Sequence, residues 1–264
     1  MAYREDPHLR FLEDMDSEDL NGLVHCLIKD KDGSPRLTEE LTGSEKYKKY
    51  HPDHQKYWQE IAAEIQCFGA NSLATLFRGG KGVLYEEILR DVADKLKISY
   101  KKSDEPKDIE EKLLMRLLYE SVNKMTPDQL KELGHEFSLS DAVSYSPEAL
   151  FAAFQVIFKA GGFKSYQLTL TIVNTVMRSI FGHGLKLAGN AALMRAASIM
   201  TGPIGWTLTG LWTAWDIAGP ATRVTIPAVA QVAFLRKKHE LMMQGLIKEI
   251  NEELKNKKFP KKED

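Results

Sequence analysis

The chain has 264 residues, 43% of them hydrophobic, and a formal net charge of −1. That is enough apolar sequence to bury a core unaided, and the near-zero charge balance implies no global attraction to nucleic acid. Cys26 and Cys67 form no CxxC pair, which fits a reducing compartment, and the charged start MAYREDPHLRFLED lacks the apolar core of a secretory signal.

Residues 1–43 read as a small helical module. Asp16 or Ser17 can cap a helix through Ile28, whose apolar positions Leu20, Val24, Leu27 and Ile28 keep helical spacing. Asp30-Lys31-Asp32-Gly33-Ser34-Pro35 then stops it; the alternating carboxylates evoke a calcium loop, but the terminal glutamate and further ligands are missing, so a solvated turn is expected. The polar stretch Thr42 to Lys49 leads to His51-Pro52-Asp53-His54, where Pro52 reads as the start of a helix over Gln55 to Gln66. The alternative for that cluster is a site built on His51, Asp53 and His54. Gly79-Gly80-Lys81-Gly82 invites a phosphate-loop reading, yet no Ser or Thr follows the lysine and a helical pattern precedes the loop. A turn between two amphipathic helices is the simpler account, the second helix burying Leu84, Ile88, Val92 and Leu96.

After a charged linker, Ser99 to Lys107, an amphipathic helix carries Ile109, Leu113, Leu114, Leu117, Leu118 and Val122. Thr126-Pro127 and Ser146-Pro147 are paired cap-and-proline start signals, so Lys101 to Leu133 should be two helices about the turn at Met125 to Asp128. Gly161-Gly162 ends the helix begun at Pro147. Tyr166 to Phe181 is rich in β-branched residues, but Leu168, Ile172, Val176 and Ile180 recur every four positions and favour a helix. A last amphipathic helix is expected over His239 to Lys255, before a charged tail at 259–264.

The main helical domain, 44–258, is dominated by an apolar, glycine-punctuated stretch at 182–238. Between Arg195 and Asp216 lie twenty residues with no ionisable side chain, interrupted by Gly202-Pro203, which reads as a hairpin of two short helices rather than one transmembrane span. Gly202, Gly205, Gly210 and Gly219 permit close helix approach, and Trp206, Trp212 and Trp215 suit an apolar-polar boundary. Asp216 and Arg223 flank Gly219-Pro220, so a bend there would let them pair. The fold class is all-α: a multi-helix bundle with an apolar, Gly-rich C-terminal hairpin.

Three stretches resemble the YaaW-like family of bacterial proteins: YREDPHLRFLEDMDSEDLNGLVHCLIKDKDGSPRLTEEL, FGANSLATLFRGGKGVLYEEILRDVADKLK, and FGHGLKLAG with GPIGWTLTGLWTAWDIAGPATRVTIPAVAQVAFLRKK. The resemblance spans nearly the whole chain. It implies a short N-terminal domain of unknown function, followed by a body remotely similar to the helical ubiquinol-cytochrome c chaperones. It supplies no catalytic residue to carry over. The function expected is a non-enzymatic, chaperone-like binding protein whose apolar hairpin engages a protein partner or a membrane surface, in the cytoplasm or peripheral to the inner membrane. The alternative is a hydrolase or nucleotide-dependent enzyme using His51, Asp53 and His54 or the Gly79 to Gly82 loop. No cofactor, metal or nucleic-acid partner is assigned.

Overall fold

Apolar residues at helical spacing, punctuated by cap and proline signals, build an all-α fold; the computed structural model describes residues 2–30, 33–36, 39–68, 82–139, 145–181 and 222–258. Among these residues no strand occurs. A 3-10 turn at Arg10–Asp14 leads into α1 (Ser17–Ile28), with Asp16 at the N-cap position but making no side-chain cap bond. The turn after α1 is closed by Asp30, whose carboxylate accepts the Ser34 N–H at 2.9 Å, and by an isolated bridge between Lys29 and Pro35.

The stretch Thr42 to Lys49 is not merely polar connection: α2 (Glu45–Tyr50) forms there, because the Ser44 hydroxyl accepts the Tyr47 N–H at 3.1 Å and caps it. Pro52 does not start the next helix either. A 3-10 turn at His54–Tyr57 intervenes, capped in position by Asp53, and α3 runs over Trp58–Phe68. Helix α4 (Tyr85–Lys95) and α5 (Pro106–Val122) follow, the proline of α5 sitting in its first turn where its missing N–H costs nothing.

Both paired start signals hold. Thr126 caps α6 (Pro127–Glu136) in a full capping box with Gln129, and Ser146 caps α7 (Pro147–Ala160) through the Ala149 N–H at 3.2 Å. Gly161 ends α7 at φ +67°, a left-handed conformation that favours glycine. Helix α8 (Gly162–Phe181) starts there and covers the β-branched stretch.

The last element differs from expectation. Instead of an apolar segment followed by a separate helix from His239, one helix, α9, runs over Thr222–Lys258. Pro227 lies inside it, near enough to the N-terminal turn to remove a single backbone bond, and nothing after it breaks the ladder. The charged run at Arg236 does not terminate the helix because each charge finds a partner.

Helices α8 and α9 pack against each other most extensively, and α9 also touches α1, α3, α4 and α5. Every residue from Val224 to Leu235 is buried, as is α8 from Leu168 to Met177. Leu9, Leu12, Leu20, Leu23 and Leu27 belong to the same hydrophobic cluster as α4, α5, α8 and α9. The N-terminal elements thus share one continuous core with the rest of the described chain.

Candidate functional site

Four consecutive residues of α9 organise the surroundings of that core. Successive residues on a helix point about 100° apart, so a run of four reaches in four directions. The Arg236 guanidinium meets the Glu110 carboxylate of α5 at 2.9 Å, donates to the His8 carbonyl at 2.7 Å and lies over the Phe11 ring at 4.6 Å. Lys237 reaches Glu111 at 2.9 Å, Lys238 pairs with Asp19 of α1, and His239 meets Asp14 at 3.0 Å.

A second layer backs this clasp. The Tyr85 hydroxyl donates to Glu110 at 2.8 Å, while the Tyr85 N–H donates to the fully buried Asp6 carboxylate at 2.7 Å. The Gln66 side-chain amide donates to Asp6 at 3.3 Å and to the Arg4 carbonyl at 2.8 Å, and its oxygen accepts the Arg4 N–H at 3.0 Å. Buried polar groups of this kind are tolerable only because each is partnered.

The alternative catalytic cluster is brought together, with His54 buried, Asp53 partly exposed and His51 exposed. Nε2 of His54 donates to the Asn21 carboxamide oxygen at 2.7 Å, which leaves Nδ1 to accept from the Tyr57 hydroxyl. Burial, then the His51 ring beside it, lowers the His54 pKa to about 4, so the ring is neutral at pH 7. Burial likewise raises Tyr57, while Asp53 is held by Ser17 at 2.8 Å and Lys56 at 2.7 Å. Both nitrogens of His54 are engaged and its ring is closed off, so His54 itself is not free to act as a base. Cys26 is no better placed: it is fully buried, its thiol is raised by burial, and it contacts the Met177 sulfur at 3.3 Å.

Of the glycine loop, Gly79, Gly80 and Lys81 lie outside the described residues. Gly82 has a packing role: a Cβ there would sit 2.2 Å from the Gln66 carbonyl carbon, and Val83 N–H bonds the Gln66 carbonyl at 3.1 Å. Gly202, Gly205, Trp206, Gly210, Trp212, Trp215, Asp216 and Gly219 also lie outside the described residues, while Arg223 falls in the first turn of α9. The expected Asp216 pairing with Arg223 is therefore outside them too. Among the described residues no helix is long and apolar enough to cross a membrane, and no group of three or more His, Cys, Asp or Glu is placed to hold a metal ion.

What sequence reading missed is an open cleft of about 780 Å³ between α5 and α7, lined in addition by Lys97, Ile98 and Ser99. Met115 and Tyr119 line it from α5; Phe151, Gln155 and Phe158 line it from α7. The Tyr119 and Phe151 rings meet edge to face at 5.1 Å, and Tyr119 remains 37% exposed. The spacing of Phe151, Gln155 and Phe158 is a helical stripe, but only the register of α5 against α7 shows that part of it stays uncovered.

Residues 53–230 match the family model described as ubiquinol-cytochrome C chaperone, and residues 3–37 match a domain of unknown function, DUF3944. The chain belongs to the ubiquinol-cytochrome C chaperone family. Its relatives are UPF0174 proteins. One from Helicobacter pylori strain J99 is 48% identical over 90% of this chain and 94% of its own length. Another, from Helicobacter pylori strain 26695, is 39% identical over 76% of this chain and 98% of its own. The UPF0174 protein YaaW of Escherichia coli K12 is 34% identical over 89% of this chain and 95% of its own. No solved structure is significantly similar. Seen against these matches, Arg236 and its neighbours clasp the DUF3944 segment, through His8, Asp14 and Asp19, to the helices of the chaperone-type body.

Proposed function

We propose that the chain is a non-catalytic, chaperone-like binding protein that holds an apolar segment of a client polypeptide. The observation that carries this reading is the α5–α7 cleft, whose floor offers Met115, Tyr119, Phe151 and Phe158 while charged side chains rim it. A partly exposed apolar floor with a polar rim suits reversible association, and methionine and aromatic side chains adapt to clients of varied shape. Membership of a chaperone family supports the same class of activity. The uncharged stretch between Arg195 and Asp216, with Trp206, Trp212 and Trp215, is assigned a second contact with the client or with a membrane surface. A cytoplasmic protein that works at the inner-membrane periphery fits both contacts.

The test is a holding assay with the purified full chain. A poorly soluble, Leu-rich helical peptide of about 20 residues is diluted from denaturant, and its light scattering is followed with and without the chain. Suppression of scattering by the wild type, and its loss in the Tyr119→Glu/Phe151→Glu double variant with an unchanged melting curve, is the expected result. Equal suppression by that variant would place client binding elsewhere.

A further inference from the structure

We infer that the segment taken by the α5–α7 cleft is an amphipathic helix with carboxylates flanking its apolar stripe. This rests on the reading of the cleft as the client site. Both long walls are helices, whose backbone groups are bonded internally, so the cleft has no sheet edge on which an extended peptide could add a strand. Its apolar side chains instead repeat along the walls at helical spacing, Met115 and Tyr119 on one, Phe151 and Phe158 on the other. A third helix laid between them completes the layer, as in helix-in-groove recognition.

The rim decides the charge of that helix. Seven charged residues line it: Lys97, Lys112, Arg116 and Lys159, against Asp104, Asp108 and Glu111. Most are already matched inside the chain. Asp104 pairs with Lys112, Glu111 with Lys237 at 2.9 Å, and Arg116 with Glu120 at 2.7 Å. Among the described residues Lys97 and Lys159 have no carboxylate partner, and only Asp108 is left to oppose them. The surplus on the rim is positive. Acidic flanks on the client are attracted to it and basic flanks are repelled, which sets specificity and on-rate more than depth of binding.

The experiment is fluorescence anisotropy of the full chain with three labelled peptides of about 18 residues, long enough for five helical turns. One carries a Leu/Ala stripe flanked by Glu, the second the same stripe flanked by Lys, and the third the Glu composition scrambled to destroy the stripe. Expected is a preference for the first over the second of about fivefold or more from two rim charges, shrinking at high salt. The order should invert in Lys97→Glu/Lys159→Glu, two exposed positions that leave melting unchanged. Equal binding of the Glu and Lys peptides overturns the inference while leaving the cleft as client site. Equal binding of the scrambled peptide overturns the helical occupant. Loss of all three peptides together with tight binding of anionic phospholipid vesicles overturns both the inference and the proposed function.

Discussion

Arg236 and Glu110, 126 positions apart, meet through a guanidinium–carboxylate contact at 2.9 Å with the Glu110 side chain only 3% exposed. This pair joins the C-terminal helix to α5 and, through the His8 carbonyl, to the first residues of the chain. Removing one partner leaves the other charge buried. Arg236→Met and Glu110→Met are each expected to cost about 3 kcal/mol or more in chemical denaturation. The double variant should lose clearly less than the sum. Strict additivity would mean that the two side chains act independently.

Gly82→Ala tests the close approach of two backbones. The new Cβ would lie 2.3 Å from the Gln66 carbonyl oxygen, so either chain segment must shift and carry with it the Gln66 bonds to Arg4 and Asp6. A loss of about 2 kcal/mol or more is expected from such a backbone clash. A variant as stable as the wild type would show that position 82 has room after all.

The cap-and-proline starts at Thr126 and Ser146 were legible in the sequence because a helix start is a local event: the signal and its structural consequence lie within four residues. Helix α2 was not, since none of its six residues EKYKKY is fully buried and it depends on the Ser44 cap and on packing against the turn at His54. The continuity of α9 was also hidden. Arg236, Lys237, Lys238 and His239 look like a terminating charge run until Glu110, Glu111, Asp19 and Asp14 are brought to them from remote parts of the chain. The cleft is a property of the α5–α7 register, and no stripe on one helix reveals which side chains its neighbour leaves uncovered.

His54 should make the protein acid-sensitive. Its folded pKa is lowered from 6.5 to about 4 by burial, then by His51, so the unfolded chain binds the proton more readily. The stability this neutral ring contributes is complete above pH 6.5 and is lost as pH falls toward 4, amounting to about 3 kcal/mol at most. His54→Gln should show a shallower loss of stability over that window. An identical pH profile in the variant would remove His54 from the account.

Glu64 acts in the opposite direction. Burial raises its pKa from 4.5 to about 8, against the two 3.2 Å contacts from the Glu40 N–H that favour the carboxylate. The folded chain therefore keeps a proton that the unfolded chain releases, and stability falls as pH rises from 4.5 toward 8. Between pH 4.5 and 6.5 this slope opposes that of His54, so each is read as a difference between variant and wild type. Glu64→Gln should gain on the wild type steadily up to pH 8 and hold that gain beyond it. A constant difference across the range would contradict the raised pKa.

Client binding in the cleft is tested most directly by hydrogen exchange on the full chain, with and without the Glu-flanked amphipathic peptide at saturation. New amide protection is expected to concentrate in Pro106–Val122 and Pro147–Ala160, the two walls, and to disappear in Tyr119→Glu/Phe151→Glu. Protection that leaves both walls unchanged while the peptide is bound would contradict it.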